Sequence, residues 1–99
     1  MTHAALTILN MASHEARKFR DVCSIEVAYR DGAVRLTLRR DMANAPGWAE
    51  RERCLTHTWS DVTIAATPME VLQYQVSTLF LTLCDFDTRH TPTPTGEPK

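Results

Sequence analysis

The chain has 99 residues, of which 43% are hydrophobic and 23% are charged, and its formal net charge at pH 7 is −1. This length and balance predict one folded domain with a modest core, and they exclude a protein that binds nucleic acid through a strongly basic overall charge. No apolar run approaches the roughly 20 residues that a transmembrane helix needs. The N-terminus also lacks the pattern of a signal peptide, so we expect a cytoplasmic protein.

Cysteines and charges are unevenly placed along the chain. The three cysteines, Cys23, Cys54 and Cys84, are odd in number and widely spaced, which argues against a disulfide framework. Basic residues are in excess over Arg17–Arg53, and acidic residues are in excess after Cys54. Arginines outnumber lysines by nine to two, and the guanidinium group favours bidentate contacts to carboxylate or phosphate.

The first predicted element is an amphipathic helix over residues 4 to about 20. Its apolar stripe recurs at spacings of three and four and consists of Ala5, Ile8, Leu9, Ala12, Ala16 and Phe19. The alternative is a shorter helix over His14–Arg20 that Ser13 caps, preceded by a loose arm or an added strand. The longer helix is favoured.

The segment Cys23–Arg40 predicts a β-hairpin with a defined register. Asp31–Gly32 is a two-residue turn of the primed type, which requires positive φ angles. Folding the chain there pairs apolar residues with one another on the inner face: Tyr29 with Val34, Val27 with Leu36, and Ile25 with Leu38. The other face pairs Ser24 with Arg39, Glu26 with Thr37, and Ala28 with Arg35. A slip of one residue would disrupt both faces, so the register is strongly specified.

A ten-residue connection, Asp41–Glu50, lacks periodicity and contains the turn formers Asn44, Pro46 and Gly47. A third strand follows from about Arg51 to Trp59. After it, either Ser60–Asp61 turns the chain into a short fourth strand, or one long bent strand continues to Ala66. Two-residue turns prefer Gly or Asn, so continuation or a bulge is favoured.

The second predicted helix begins with a capping box, in which Thr67 is the N-cap, Pro68 the first helical residue and Glu70 the third. Its core stripe consists of Met69, Leu72, Val76, Leu79, Phe80 and Leu83. A second, smaller apolar strip contains Tyr74 and Leu81. The helix is predicted to end near Cys84–Asp87.

These elements predict an α+β fold with the order α-β-β-β-α in two layers. We expect an antiparallel sheet of three to four strands with both helices on one face. Residues 1–87 form the single domain, and residues 88–99 form a disordered tail that is rich in Pro and Thr.

Candidate chemical sites are weak in this sequence. Cys54 and His57 have the spacing of half a zinc site, but residues three apart on a strand point to opposite faces. No Gly-rich phosphate loop or nucleophile elbow is recognisable, and Asp61, Asp85 and Asp87, which could be paired carboxylates, are more typical of solvated surface. We therefore predict no catalytic residue, no metal and no cofactor.

The predicted partner-binding surface is rich in arginine and includes one tryptophan. Arg35 and Arg39 share the outer hairpin face, and the remaining predicted members near its ends and in the connection are Arg40, Arg51, Arg53, Trp48 and Met42. A charged solvent face, and a Trp48 that folds back over the core, remain the alternatives. Tyr74 and Leu81 either pack against the first helix or form the seam of a homodimer.

Two functional hypotheses follow. The first is a non-enzymatic protein that binds another protein: an adaptor, a small chaperone, or an inhibitor of a larger complex, such as the inhibitors of host defence that phages and mobile elements encode. The second is a nucleic-acid-binding protein that uses the arginine face of the hairpin. Double-stranded-RNA-binding domains share the element order, but they carry lysines where this last helix begins with Thr67–Pro68–Met69–Glu70.

Overall fold

The computed structural model describes residues 2–19, 22–40 and 53–90, with side chains over residues 2–19, 24–40 and 53–84. The fold is α+β with a three-stranded antiparallel sheet of order β1-β2-β3, as predicted. The elements in chain order are α1 (His3–Ala16), β1 (Val22–Arg30), β2 (Ala33–Arg40), β3 (Cys54–Ser60), α2 (Asp61–Ala66) and α3 (Met69–His90).

The β1–β2 hairpin confirms the predicted turn and register. Asp31 and Gly32 both have positive φ, at 55° and 73°. This geometry matches the right-handed twist of the strands, which is why the primed turns dominate short hairpins. All six predicted cross-strand pairs are present, and the register shifts only between Val22 and Ser24 at the far end of β1.

The core lies between the sheet and the helices. Its buried members are Ala5, Ile8, Ala12, Val34, Leu36, Leu38, Trp59, Ile64, Leu72, Val76, Phe80 and Leu83. Alternate residues of β2 from Val34 onward are fully buried, whereas Arg35 and Arg39 between them are exposed. This burial is compatible with the predicted placement of both long helices on one face of the sheet.

Helix α1 agrees with the longer of the two predicted helices and not with the short one over His14–Arg20. Thr2 is its N-cap, and its side chain accepts a hydrogen bond from the Ala5 N–H at 3.1 Å. After the helix ends at Ala16, Phe19 stacks on Phe80 of α3 with ring centroids 5.4 Å apart. The apolar stripe thus continues beyond the helix and joins α1 to α3.

The predicted fourth strand or strand continuation after Ser60 is wrong, because Asp61–Ala66 forms the short helix α2. The Ser60 hydroxyl accepts from the Thr63 N–H at 3.1 Å and caps this helix. Asp61 in the first turn complements the positive end of the helix dipole. Ile64 is buried while Val62 is 77% exposed. In a strand these two residues would lie on the same face, so their spacing does not indicate a strand.

Helix α3 begins close to the predicted start, but the details differ. The Thr67 hydroxyl donates a hydrogen bond to the Thr63 carbonyl at 2.6 Å. This bond joins the residues between the two helices to α2 and replaces the predicted capping contact with α3. Met69, predicted to be in the core, is 59% exposed. The helix continues to His90, past the predicted end at Asp87, so residues 88–90 are helical. Residues 91–99 of the predicted tail lie outside the described residues.

Candidate functional site

The outer face of the sheet carries the residues that alternate with the buried ones. Read across the three strands by register, it consists of Ser24, Glu26, Ala28, Arg30, Ala33, Arg35, Thr37, Arg39, Cys54, Thr56, Thr58 and Ser60. Each of these twelve side chains is exposed or half-exposed. We call this surface the outer sheet face. It is polar and lies on the side of the sheet opposite the core.

A depression of about 390 Å³ lies on the outer sheet face near the hairpin turn. Small and large residues alternate across the strands there, because Ala28 pairs with Arg35 and Arg30 pairs with Ala33. The two alanines leave space, and Tyr29, Arg30, Asp31, Arg35 and Thr58 complete the lining. The depression therefore offers guanidinium and hydroxyl donors around a small apolar floor, together with the Asp31 carboxylate.

Charge on the outer sheet face is mixed rather than uniformly basic. Arg35 and Arg39 lie on the central strand, and Glu26 lies on β1 beside them. At the turn, Arg30 Nε is 3.7 Å from the Asp31 carboxylate, and both side chains are almost fully exposed. An exposed pair of this kind contributes little to stability and can exchange its partner.

The rim of the depression is held by a contact between the hairpin and α2. The Tyr29 hydroxyl donates a hydrogen bond to the Asp61 carboxylate, and the Asp61 N–H donates to the Gly32 carbonyl at 2.8 Å. The hydrogen bond to Asp61 raises the pKa of Tyr29, and desolvation and the Asp61 charge act in the same direction. Asp61, which directly follows β3, is thus hydrogen-bonded both to Tyr29 of β1 and to the hairpin turn.

The structure brings together only part of the predicted arginine surface. Arg35 and Arg39 lie on the outer sheet face as predicted. Arg40 does not, because it is only 4% exposed and its guanidinium donates to the Leu83 carbonyl of α3 at 3.4 Å. Arg40 is two residues after Leu38 on β2, so both side chains lie on the core-facing side of the sheet. Arg53 is half-buried immediately before β3.

Other predicted site residues fall elsewhere. Trp48, Met42 and Arg51 lie outside the described residues. Tyr74 and Leu81 are 73% and 56% exposed on α3. Their role as the seam of a homodimer stays a prediction.

Sequence reasoning missed two features of the candidate site. One is the depression between Ala28 and Ala33, which could have been found by extending the predicted register to Thr58 of the third strand. The other is the contact between Tyr29 and Asp61, which are 32 positions apart. That contact has no local signal, because it depends on α2 following β3 directly.

The Cys54–His57 pair does not form part of a recognisable metal centre. The two residues lie three positions apart on β3, and the His57 ring packs edge-on against Trp59 at 4.4 Å between centroids. Within residues 2–19, 22–40 and 53–90, no three His, Cys, Asp or Glu side chains gather closely enough to hold a metal ion. Cys54 is a half-buried free thiol.

The fold and the surface define a small α+β domain with an open, polar face on its antiparallel sheet. Comparisons of the chain with protein-family models, with curated proteins and with solved structures find no match. In the part of the chain that the structure describes, no helix combines the length and the apolar character needed to span a membrane.

Proposed function

We propose that this protein is a small, non-enzymatic binding module whose outer sheet face contacts acidic side chains of another protein. The observation that carries the proposal is the depression flanked by Arg35, Arg30 and Thr58 on the outer sheet face, whose side chains are exposed or half-exposed. A carboxylate entering it would accept hydrogen bonds from a guanidinium group and a hydroxyl at once.

The chemistry of the outer sheet face favours a protein partner over a substrate. The depression is floored by alanine methyl groups and lined by guanidinium and hydroxyl donors, with the Asp31 carboxylate beside them. Arginine and mixed polar side chains around a small apolar centre are typical of protein interfaces. An adaptor, a chaperone-like protein or an inhibitor that docks on a larger complex, including a phage-encoded inhibitor of host defence, would use such a surface.

The test is a pull-down with the full chain and two charge-matched variants. Arg35→Gln removes one positive charge from the depression, and Arg17→Gln removes one from the exposed end of α1. Losing a charge-assisted hydrogen bond weakens binding by about 1.5–3 kcal/mol, which corresponds to roughly 10- to 150-fold in affinity. Proteins captured by the native chain and by Arg17→Gln should therefore be absent with Arg35→Gln. Equal capture by all three would contradict the proposal.

The second candidate is nucleic-acid binding through the same face. It is favoured by Arg35 and Arg39, which are exposed on one side of the central strand. Glu26 and Asp31 on the same surface offset these charges, and the first turn of α3 carries Glu70 rather than basic residues. Nucleic-acid binding predicts a complex at low salt that dissociates as salt rises, and that the double variant Arg35→Glu/Arg39→Glu abolishes. A gel-shift assay without a complex at low salt would exclude this candidate.

A further inference from the structure

The two outer strands of the sheet differ in how their edges are protected. Sheet edges are normally shielded from further pairing by charged residues, prolines or bulges. β1 carries Glu26 and Arg30, and its register is irregular between Val22 and Ser24. β3 contains no Asp, Glu, Lys, Arg or Pro over its whole length, Cys54–Ser60, and within the described residues it pairs with β2 on one side only. Among the described residues, the outer edge of β3 is thus left without a paired strand.

The sequence of β3 is self-complementary in an antiparallel arrangement. A two-fold axis at His57 pairs Leu55 with Trp59 of a second copy on the core-facing side and Thr56 with Thr58 on the outer side. Apolar residues then meet apolar residues, and hydroxyls meet hydroxyls. We propose that β3 pairs with β3 of a second copy of this chain, giving a homodimer with a continuous six-stranded sheet.

Helix α3 provides a second part of the same surface. A cavity of about 250 Å³ beside the β3 edge is lined by His57, Tyr74, Gln75, Thr78 and Leu79. Tyr74 stands exposed at this cavity, and Leu81 lies two turns further along the helix. Solvent-exposed apolar side chains next to an open strand edge are typical of an association surface. Pairing of β3 would bring the two copies of this helical strip toward each other.

The lack of carboxylate, lysine and arginine side chains on β3 and at the adjoining cavity supports a second copy of this chain as the partner. In a two-fold interface the groups on the axis face their own equivalents, so a charged group there would face a like charge. The residues of β3 and of the adjoining cavity include neither a carboxylate nor a lysine or arginine. The surface is therefore suited to pairing with itself, whereas the outer sheet face, with its arginines, is not.

The dimer and the proposed function share Thr58 but otherwise use different residues. Pairing through β3 leaves Arg35 exposed in both copies and places the two outer sheet faces side by side on one sheet. A variant that prevents dimerisation can therefore retain the depression near the hairpin turn, and a variant of Arg35 can retain the dimer. Failure of one proposal is distinguishable from failure of the other.

The test exploits the position of His57 at the two-fold axis. The full-length variants His57→Lys and His57→Glu each place like charges opposite one another, and the exposure of His57 allows both to fold. Sedimentation velocity over a series of concentrations should show a dimer for the native chain. Each variant should raise the dimer dissociation constant about tenfold or more. Mixing the two variants should restore a dimer, because lysine then faces glutamate.

Two controls define the surface. Glu26→Lys changes an exposed charge on the opposite edge and should leave the dimer dissociation constant unchanged. Tyr74→Ala should raise it without changing the circular dichroism spectrum, since the side chain is exposed. A native chain that stays monomeric at the highest concentration would overturn the proposal. A dimer that neither His57 variant weakens, or variants that fail to form a mixed dimer, would also overturn it.

Discussion

The hairpin turn allows a quantitative test of how this chain fixes its register. Gly32 has φ of +73°, and a Cβ atom added there would meet no atom within 4 Å. The cost of Gly32→Ala is therefore the cost of the backbone conformation alone, about 1–2 kcal/mol for a left-handed L-residue. Part of this is offset, because alanine lowers the entropy of the unfolded chain by about 0.4–1 kcal/mol. We expect a net loss of about 1 kcal/mol.

Thermal and urea unfolding of a three-variant series measures this effect. Gly32→Asn should cost less than Gly32→Ala, because asparagine adopts positive φ more readily, and Gly32→Val should cost more. A loss of 1 kcal/mol lowers the melting temperature by about 4–8 °C in a domain of this size. If all three variants were equally stable, position 32 would not require a left-handed backbone, and the turn would not set the register of the sheet.

Two further predictions concern the core and the contact between the hairpin and α2. Leu36→Ala should lower the free energy of unfolding by about 2–5 kcal/mol, and Thr37→Ala by less than about 1 kcal/mol, as measured in urea, because only Leu36 is fully buried. The hydrogen bond to Asp61 raises the pKa of Tyr29 above 10.0, so its contribution to stability is full below pH 10 and is lost as the pH rises through the raised pKa. Tyr29→Phe should remove this alkaline loss from the melting curves, whereas Tyr74→Phe should retain it.

The features that sequence patterns predicted correctly are the local ones. The turn at Asp31–Gly32 and the alternation on both flanking strands are specified within 18 residues, and each reinforces the other. The buried stripe of α3 follows from helical spacing over Leu72, Val76, Phe80 and Leu83 in the same way. Arg35 and Arg39 were placed correctly because they belong to the hairpin pattern.

The features that were missed depend on competing local signals or on distant contacts. Val62 and Ile64 alternate as in a strand, but the Ser60 cap and Asp61 in the first turn stabilise a helix instead. Arg40 was predicted to lie near the end of the arginine face, although its position on β2 places it toward the core. Its hydrogen bond to Leu83 of α3 is a tertiary contact that no local pattern reveals.

The central claim, that the outer sheet face binds another protein, is tested most directly by site-specific photo-cross-linking. A photoreactive amino acid at Arg30 lies at the depression on β1, away from the β3 edge, and one at Gln73 lies at the exposed groove between α1 and α3. Irradiation in cells followed by mass spectrometry should give a discrete adduct to another protein from position 30 and none from position 73. Adducts to nucleic acid from position 30, or the same protein adducts from both positions, would contradict the account.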